Sequence, residues 1–379
     1  IASGAASVNA AGETQKLSSL GFYSSDVFQV KPDATKTLRP MLSALEPKEA
    51  ISKTLLAKEV RAVFLGEHHD SPRDHELQAD IIRAIKASRK ASQPMAVGLE
   101  AFQKKFQPVL DAYIAGKISD SDLEDQTEWK TRWFWPFENY LPVFQLCRAE
   151  KIPIIALNVD SEDLSLVEVG GLKNLGKEAL QKYIPDPQGF SKFSSTTAFK
   201  EYLEYVVVPS YVSHQRMGIL RTTITGLKLD QDMSIANFVS GRLLWDESMG
   251  SSAASWVKAN PGGFFIGLIG ADHVKFGCGV PARCARSLAS PNTPSPQSAI
   301  RTVLLNASPD DTSRDPNGAA SESKLTLQLR YAAIDGDGAP PVIGGDAKVD
   351  IPAARAVGQA SGAVLPVADL LWFSAGALR

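Results

Sequence analysis

The chain has few cysteines and no strong excess of charge of either sign. Only 3 of its 379 residues are cysteine, an odd number without a Cys-x-x-Cys pair, which argues against a disulfide framework or a zinc ribbon. Cys278 and Cys284 are close enough in sequence to pair in an oxidising compartment, but we expect buried or idle thiols. The formal net charge of -2 gives no bulk attraction to nucleic acid or to an anionic membrane, and we expect no nucleic-acid partner.

Long apolar runs and common catalytic motifs are also missing. The longest nearly uninterrupted apolar stretch, around Phe264 to Ala271, is far shorter than the roughly 20 residues that span a bilayer, so we predict no transmembrane segment. The chain has no Gly-x-Ser-x-Gly elbow, no His-Glu-x-x-His and no glycine-rich phosphate loop. It starts at Ile1 with small and polar residues, which we interpret as the end of a processed precursor and expect for an organellar protein.

Two short apolar runs each end on a glycine and are followed by acid and imidazole side chains. One run is Val63–Leu65, followed by Gly66-Glu67-His68-His69-Asp70, and the other is Phe264–Ile269, followed by Gly270-Ala271-Asp272-His273. Short, continuous apolar runs of this composition are typical of buried strands. Both turns share the spacing Gly-x-x-His, and they use two of the 5 histidines in the chain.

Predicted strands and helices alternate along much of the chain. Strand patterns occur at about 60–66, 95–100, 152–157, 263–269 and 300–305, with helical patterns between the first three. This alternation is the signature of a parallel sheet with crossover helices. We therefore predict an α/β fold with a mainly parallel central sheet flanked by helices.

The predicted organisation has three parts. Residues 1–45 are expected to be irregular, residues 46–306 to form the α/β domain, and residues 307–379 to form an irregular extension. Within the domain, residues 161–260 show helical spacing and no strand pattern, which is too long for a simple crossover, so we interpret them as an inserted helical cap. Pro209 is expected to split this helical stretch. The extension is predicted to contain a strand near 325–331 and a terminal apolar segment, Leu370–Phe373, that packs back on the core.

Polar side chains follow several of the predicted strands. Because the carboxyl ends of parallel strands meet at one sheet edge, where ligands bind, we expect these side chains to line one cavity beneath the cap. They are Glu67, His68 and His69 after the first strand, Glu100 after the second, Asn158 and Asp160 after the third, and Asp272 and His273 after the fourth.

This set of side chains permits three chemistries. His69 and His273 can bind a divalent metal with positions left open for water. The imidazoles and a carboxylate can act as general acid and base without a metal. They can also line a cofactor pocket, with imidazole or phenolate as an axial ligand of haem iron. We expect His68 to face away from His69, His75 to be peripheral, and the aromatic segment 129–137 to serve packing rather than a pocket wall.

The motifs together resemble the ChaN-like haem-binding family of the Tiki/TraB/erythromycin-esterase superfamily. The resemblance rests on Leu65–Asp70, Gly98–Glu100, Ile155–Asn158 and Leu268–His273, with further agreement at Leu244–Met249 and Ala368–Phe373. It implies an α/β core with an added helical region, and haem binding, which bacterial members achieve between protomers. Relatives in plants and algae are associated with plastids, so the resemblance implies a chloroplast location.

The same resemblance implies roles for individual residues. The expected cofactor-binding residues are Glu67, His68, His69, Glu100, Asn158, Asp246 and His273. Enzymatic members of the superfamily use the two Gly-x-x-His histidines and a strand-end glutamate, which implies His69, His273 and Glu100 as catalytic residues if the chain is a hydrolase. The chain departs from the family in having no lipobox cysteine near its start and Gly250 where a residue such as alanine is expected. A haem-ligating tyrosine cannot be assigned among Tyr113, Tyr202, Tyr205 and Tyr211.

Three functions follow as hypotheses. The first is a haem- or tetrapyrrole-binding protein with its ligand between the strand ends and the cap. The second is a hydrolase that depends on a metal or on His and Glu. The third is a non-catalytic subunit of a larger, thylakoid-associated complex, or a homodimer, in which the segments 1–40 and 307–362 make the contacts.

Overall fold

The computed structural model describes residues 22, 24–31, 41–193, 196, 199, 202–289, 296–308, 325–329, 347–351, 366–375 and 377. Its strands are β1 (Asp26–Lys31), β2 (Met41–Leu45), β3 (Ala62–Glu67), β4 (Met95–Gln103), β5 (Ile154–Asn158), β6 (Phe264–Gly270), β7 (Ile300–Leu305), β8 (Leu325–Leu329), β9 (Ala347–Ile351) and β10 (Leu370–Phe373).

The helices lie between these strands. They are α1 (Pro47–Glu49), which continues as a π-helix over Ala50–Leu55, α2 (Pro72–Ser88), α3 (Gln107–Ile114), α4 (Asp120–Gln126), α5 (Trp129–Arg132), α6 (Phe137–Ala149), α7 (Ser161–Gly170), α8 (Lys177–Tyr183), α9 (Pro187–Phe193), α10 (Val208–Arg216), α11 (Ile235–Ala259), α12 (Ala271–Val274) and α13 (Val280–Leu288). Short 3-10 turns occur at Lys104–Phe106, Leu172–Asn174, Ile219–Arg221, Lys275–Gly277 and Pro296–Ala299.

The main sheet has eight strands in the order β2-β1-β10-β7-β3-β6-β4-β5. The pairs from β10 to β5 are all parallel, whereas β1 pairs antiparallel with both β10 and β2. The prediction of an α/β fold with a mainly parallel sheet is therefore confirmed. β8 and β9 pair with each other as a separate antiparallel ribbon.

The central strands are buried on both faces. Every residue of β3, β4 and β6 is buried, as expected for parallel strands covered by helices on each side. The apolar side chains divide into two large clusters, one containing Phe64 and the other Leu65, because successive residues of a strand point to opposite faces. Gly267 leaves room for the Phe64 ring, which lies 2.4 Å from where a Cβ at that position would stand.

The prediction of an irregular segment over residues 1–45 is wrong for residues 26–31 and 41–45, which form β1 and β2. These strands gain order from β10, which lies between β1 and β7 and comes from the other end of the chain. Such pairing between distant segments leaves little local signal. β9 similarly falls within residues 307–379, where we expected an irregular extension with a strand only near 325–331 and an apolar segment at its end. Within these stretches, residues 1–21, 32–40 and 309–324 lie outside the described residues.

The segment between β5 and β6 is helical. The described residues from 161 to 259 contain α7 to α11 and no strand, with one isolated bridge between Thr222 and Lys228. Pro209 lies in the first turn of α10, directly after a π-helix over Leu203–Val207. α11 has 25 residues, or about 37 Å, against about 23 Å for the 7 residues of β6. Because α11 runs back along the sheet into β6, its first half extends beyond the carboxyl edge.

Two further predictions concern the whole chain. All three cysteines are buried free thiols. Among the described residues, no helix combines the length and the apolar character needed to cross a bilayer.

Candidate functional site

The carboxyl ends of three neighbouring strands form the site. β6 lies between β3 and β4, so that Glu67 at the end of β3 stands in register with Gly270 at the end of β6. On the other side, the Gly270 backbone N–H donates a hydrogen bond of 2.6 Å to Glu100 Oε2. The parallel order of these strands thus places the two predicted strand-end acids on either side of the second Gly-x-x-His turn.

His273 lies between two buried carboxylates. Its Nδ1 is 2.5 Å from Asp246 Oδ1, and its Nε2 is 3.3 Å from Glu100 Oε1. All three side chains are almost fully buried. Because both ring nitrogens face acceptors, the arrangement favours the doubly protonated imidazolium.

His69 is held from the other side by Glu67. Its Nδ1 donates a hydrogen bond of 2.9 Å to Glu67 Oε1. The same oxygen accepts a hydrogen bond of 3.0 Å from the Tyr140 hydroxyl. Gln78 Nε2 donates a hydrogen bond of 2.5 Å to Glu67 Oε2, and Trp133 Nε1 donates one of 3.1 Å to the Tyr140 oxygen. Glu67 therefore fixes the orientation of the His69 ring.

The two histidines converge on Glu100. A Cβ added to Gly270 would stand 2.9 Å from His69 Nε2 and 3.5 Å from Glu100 Oε2, so both atoms border the same point. Since His273 Nε2 contacts the other Glu100 oxygen, the order in space is Glu67–His69, then Glu100, then His273–Asp246. The structure thus brings together the His69, Glu100 and His273 side chains that sequence reasoning assigned to one cavity.

Charges in the site shift several pKa values. Burial alone would raise the pKa of Glu100, but His273, His69 and the Gly270 N–H stabilise the carboxylate and lower its pKa to about 2. The pKa of Glu67 is also lowered, since the His69 and His75 imidazoles outweigh its burial. Burial and Arg242 act to lower the pKa of His273, but Glu100 and Asp246 raise it above the ordinary value. The pKa of His69 is raised by Glu67 and Glu100, which outweigh its burial.

α11 contributes residues that sequence reasoning missed. Arg242 Nε donates a hydrogen bond of 2.9 Å to the Tyr202 hydroxyl oxygen and lies 4.0 Å from Asp246 Oδ1. The Trp245 ring packs edge-on against His273, with 5.5 Å between centroids. The spacing of positions 242, 245 and 246 places them on one helical face, which is the signal that links them.

Aromatic side chains form an exposed wall beside His69. The His69 ring centroid lies 4.9 Å from that of Trp133 and 5.8 Å from that of Trp135. Trp135 and Phe134 are 37% and 73% exposed, respectively, whereas Trp129 is buried in the core. The segment 129–137 therefore supplies both packing and a surface next to the site, whereas we favoured packing over a pocket wall.

Other predicted residues have structural partners. His68 Nδ1 lies 2.9 Å from Asp74 Oδ2, away from Glu67. Asn158 Nδ2 donates to the Glu100 carbonyl oxygen at 2.8 Å, so its amide supports the backbone between β4 and β5. His75 was expected to be peripheral and is instead buried behind Glu67, with its ring 3.9 Å from that of Tyr140.

Residues further along the edge also have partners. Asp160 pairs with Lys182, Asp272 pairs with Lys275, and His214 Nδ1 lies 2.7 Å from the Ser210 carbonyl oxygen on α10. Asp246, in contrast, joins the site directly through His273.

The candidate tyrosines have different surroundings. The Tyr113 hydroxyl donates to Asp120 and that of Tyr211 to the Met233 carbonyl, so neither joins the site. The Tyr202 oxygen reaches it through Arg242, but burial raises the pKa of Tyr202 well above its ordinary value, which disfavours the phenolate. The Tyr205 side chain lies outside the described residues. Among those residues, no three His, Cys, Asp or Glu side chains are grouped as a metal site.

Comparison with known proteins identifies the family. The model of the family described as "Haem-binding uptake, Tiki superfamily, ChaN" matches residues 55–284, which include every side chain of the site. The chain belongs to this family. ChaN of Campylobacter jejuni, solved with cofacial haem, has a similar fold, with a TM-score of 0.51 and 14% identity over 93% of this chain and 98% of that one.

A plant relative is also similar to this ChaN-family chain. Protein RETICULATA-RELATED 5, chloroplastic, of Arabidopsis thaliana is 25% identical over 275 residues. The match covers 68% of this chain and 33% of that protein, so the chain spans about a third of the relative's length.

Proposed function

We propose that this ChaN-family chain binds haem or a related tetrapyrrole at the carboxyl edge of the sheet, beneath the first half of α11. The observation that carries the proposal is the convergence of His69, His273 and Glu100 beside an exposed aromatic wall. Family membership supplies the ligand class.

The residues at this edge fit a flat aromatic ligand that carries iron. The His69 side chain is 23% exposed against 3% for His273, so solvent reaches the site from the His69 side. Trp135 offers a partly exposed ring on that side, with the exposed Phe134 next to it in the chain, and aromatic rings pack well against other flat rings. Glu67 accepts the Nδ1 proton of His69 and leaves Nε2 to act as a ligand or a base. Bound haem would supply an iron centre for electron or ligand exchange.

In this proposal each site residue has a role. His69 would bind the iron of the ligand, and Glu67 would fix the orientation of the His69 ring. Glu100, His273 and Asp246 would form the buried, charged floor. His68 and Asn158, which we also expected to bind cofactor, would act indirectly, since Asn158 braces the Glu100 strand.

The test is a titration with haemin followed by absorption spectroscopy. We expect a shifted Soret band that saturates at a fixed stoichiometry, and a His69→Ala variant with a different band and weaker binding. His214→Ala is the matched control, because His214 bonds within the cap instead. A spectrum identical to that of free haemin would overturn the proposal.

We propose that the protein functions in plastids. The support is the plant relative, whose name places it in the chloroplast. Imaging a fluorescent fusion of the full-length protein in leaf cells tests this, and fluorescence outside plastids would contradict it.

A second candidate function is hydrolysis, which the Asp246–His273–Glu100 arrangement favours. An imidazole oriented by a carboxylate is a common acid–base unit in hydrolases. A good general base has a pKa near the working pH. The low pKa of Glu100 therefore suits this carboxylate to stabilising positive charge. His69 and His273 are better suited to moving protons.

An ester and peptide substrate panel tests this second function. Any hydrolysis detected should fall at least tenfold in His69→Ala, His273→Ala and Glu100→Gln and be unchanged in His214→Ala. Unchanged rates in all three site variants would reject it. The divalent metal at His69 and His273 and the subunit hypothesis stay predictions, tested by elemental analysis and by the native size of the complex.

A further inference from the structure

Arg242 is a cation with one buried nitrogen whose hydrogen-bond donors are unused. Its Nε donates to the neutral Tyr202 hydroxyl oxygen, while its buried Nη2 has no hydrogen-bond acceptor among the described residues. A guanidinium group has five N–H donors arranged to match a carboxylate or phosphate. Buried donors without partners are rare, because leaving them unsatisfied costs free energy.

The nearby acids make no hydrogen bond to Arg242, although Oδ2 of Asp246 is itself buried without a partner among the described residues. Asp246 Oδ1 pairs with His273 Nδ1 and lies 4.0 Å from Arg242 Nε, at the outer limit of an ion pair. Asp272 pairs with Lys275 at 2.7 Å. These acids help to hold Arg242 in place and in its charged form, but they leave the Nη2 edge of the guanidinium without an acceptor.

Trp245 supplies a second unpartnered donor. Its Nε1 is buried and also lacks an acceptor in the described part of the chain. Positions 242 and 245 are three residues apart on α11 and so share one face. The Arg242 side chain is 13% exposed, and the Trp245 ring contacts His273, so this face borders both solvent and the candidate site.

Building on the proposed function, we infer that Arg242 and Trp245 bind a carboxylate of the ligand beside His273. Haem and related tetrapyrroles carry such carboxylates at one edge of the ring. Tyr202 would orient the guanidinium through Nε, leaving Nη2 and Trp245 Nε1 to face the ligand. The inference thus assigns the acidic edge of the ligand to the α11 side and its apolar edge to Trp135 and Phe134.

Paired ligands separate this inference from the proposed function. Haemin and haemin dimethyl ester share the ring and the iron, but the ester lacks both ionised carboxylates. We expect the full-length protein to bind haemin about tenfold more tightly than the ester, since a charge-assisted hydrogen bond is worth about that much. Arg242→Gln should lower haemin affinity to the level of the ester and leave ester affinity within about twofold.

Two more variants complete the experiment. Trp245→Phe keeps the ring but removes the N–H, and it should weaken haemin binding alone. Arg221→Gln is the control, because Arg221 pairs with Asp232 on the exposed surface of the cap. Equal affinity of the wild type for both ligands, or equal loss of both in Arg242→Gln, would overturn the inference while the proposed function stands. Failure to bind either ligand would overturn both.

Discussion

Glu100 Oε1 lies 3.3 Å from His273 Nε2, and the other oxygen of the same carboxylate accepts the Gly270 N–H at 2.6 Å. One buried side chain thus ties the end of β4 to the turn that follows β6. Because the carboxylate is ionised and held at both oxygens, it fixes the local charge around which the two histidines are arranged. The chemistry of the site and the protonation states of the two histidines therefore depend on this carboxylate.

Neutralising Glu100 should lower the pKa of His273. Burial and Arg242 already act to lower this pKa, and Glu100 is one of the two carboxylates, with Asp246, that raise it. Glu100→Gln keeps the size of the side chain but removes its charge. The pKa of His273, followed by NMR of the imidazole C–H signals, should therefore fall. Glu76→Gln, on the exposed side of α2, is the control and should leave it unchanged. An unaltered His273 titration in Glu100→Gln would show that the pair does not interact.

Gly270→Ala should disturb the site without disturbing the backbone. Gly270 has φ -55° and ψ 143°, which alanine adopts freely. The new methyl group would stand 2.9 Å from His69 Nε2 and 3.0 Å from its Cε1, so the imidazole must move. We expect haemin affinity to fall at least tenfold while the far-ultraviolet circular dichroism stays native.

Gly176→Ala is the matched control for that substitution. Gly176 has φ -66° and ψ 159°, and no atom lies within 4 Å of its added Cβ. Its haemin affinity should equal that of the wild type. Native affinity in Gly270→Ala as well would mean that His69 is not held where the structure places it.

Much of this site could be predicted from the residues that follow the predicted strands, because those residues are marked by local sequence patterns. An apolar run, a glycine and a following imidazole were enough to place His69 and His273 at one edge, once the sheet was known to be parallel. Asp246 came only with the family resemblance. Arg242 and Trp245 carried no signal of their own, since the side of α11 that faces the site is set by tertiary packing.

The order of the strands in the sheet likewise could not be predicted from local sequence patterns. Sequence patterns indicated the central strands, which are continuous apolar runs. They did not indicate that β10 lies between β1 and β7, which joins the two ends of the chain. Likewise, Tyr140 on α6 hydrogen-bonds to Glu67 through a helix–sheet contact that leaves no motif in the sequence.

Glu168 on α7 should make the folded state less stable as pH rises. Burial raises its pKa from 4.5 to about 7, although the Ile224 N–H donates a stabilising bond of 2.8 Å to its Oε2. Between those two values the folded protein keeps a proton that the unfolded chain has lost, so the free energy of unfolding falls with pH. Glu168→Gln removes this titration, and it should increase the free energy of unfolding at pH 8 by on the order of 2 kcal/mol.

Urea unfolding at pH 8 and pH 4 measures this effect. At pH 4 both states of the wild type hold the proton, so the gain in Glu168→Gln should vanish. Glu162→Gln, on the same helix, is the control, because Glu162 pairs with Lys105 and Arg132 and its pKa is lowered. A gain that is the same at both pH values would point to a cause other than the Glu168 charge.

Two glycines of α11 should respond in opposite ways to alanine. At Gly250 an added Cβ would stand 2.8 Å from Arg283 Cβ and 2.9 Å from the Cys284 backbone nitrogen, so α13 approaches too closely for a side chain. At Gly241 the nearest atom, Leu164 Cδ1, is 3.4 Å away, which is an ordinary contact. Gly250→Ala should therefore lower the free energy of unfolding by about 1–3 kcal/mol through overpacking.

Gly241→Ala should instead raise the free energy of unfolding by about 0.5–1 kcal/mol, because alanine favours the helix and meets no clash. Urea unfolding of the two variants and of the wild type measures both changes in the free energy of unfolding. Since the close approach at Gly250 also sets where α11 lies over the sheet edge, Gly250→Ala should weaken haemin binding and Gly241→Ala should not. Equal stability of the two variants would mean that α11 and α13 do not pack as closely as the structure shows.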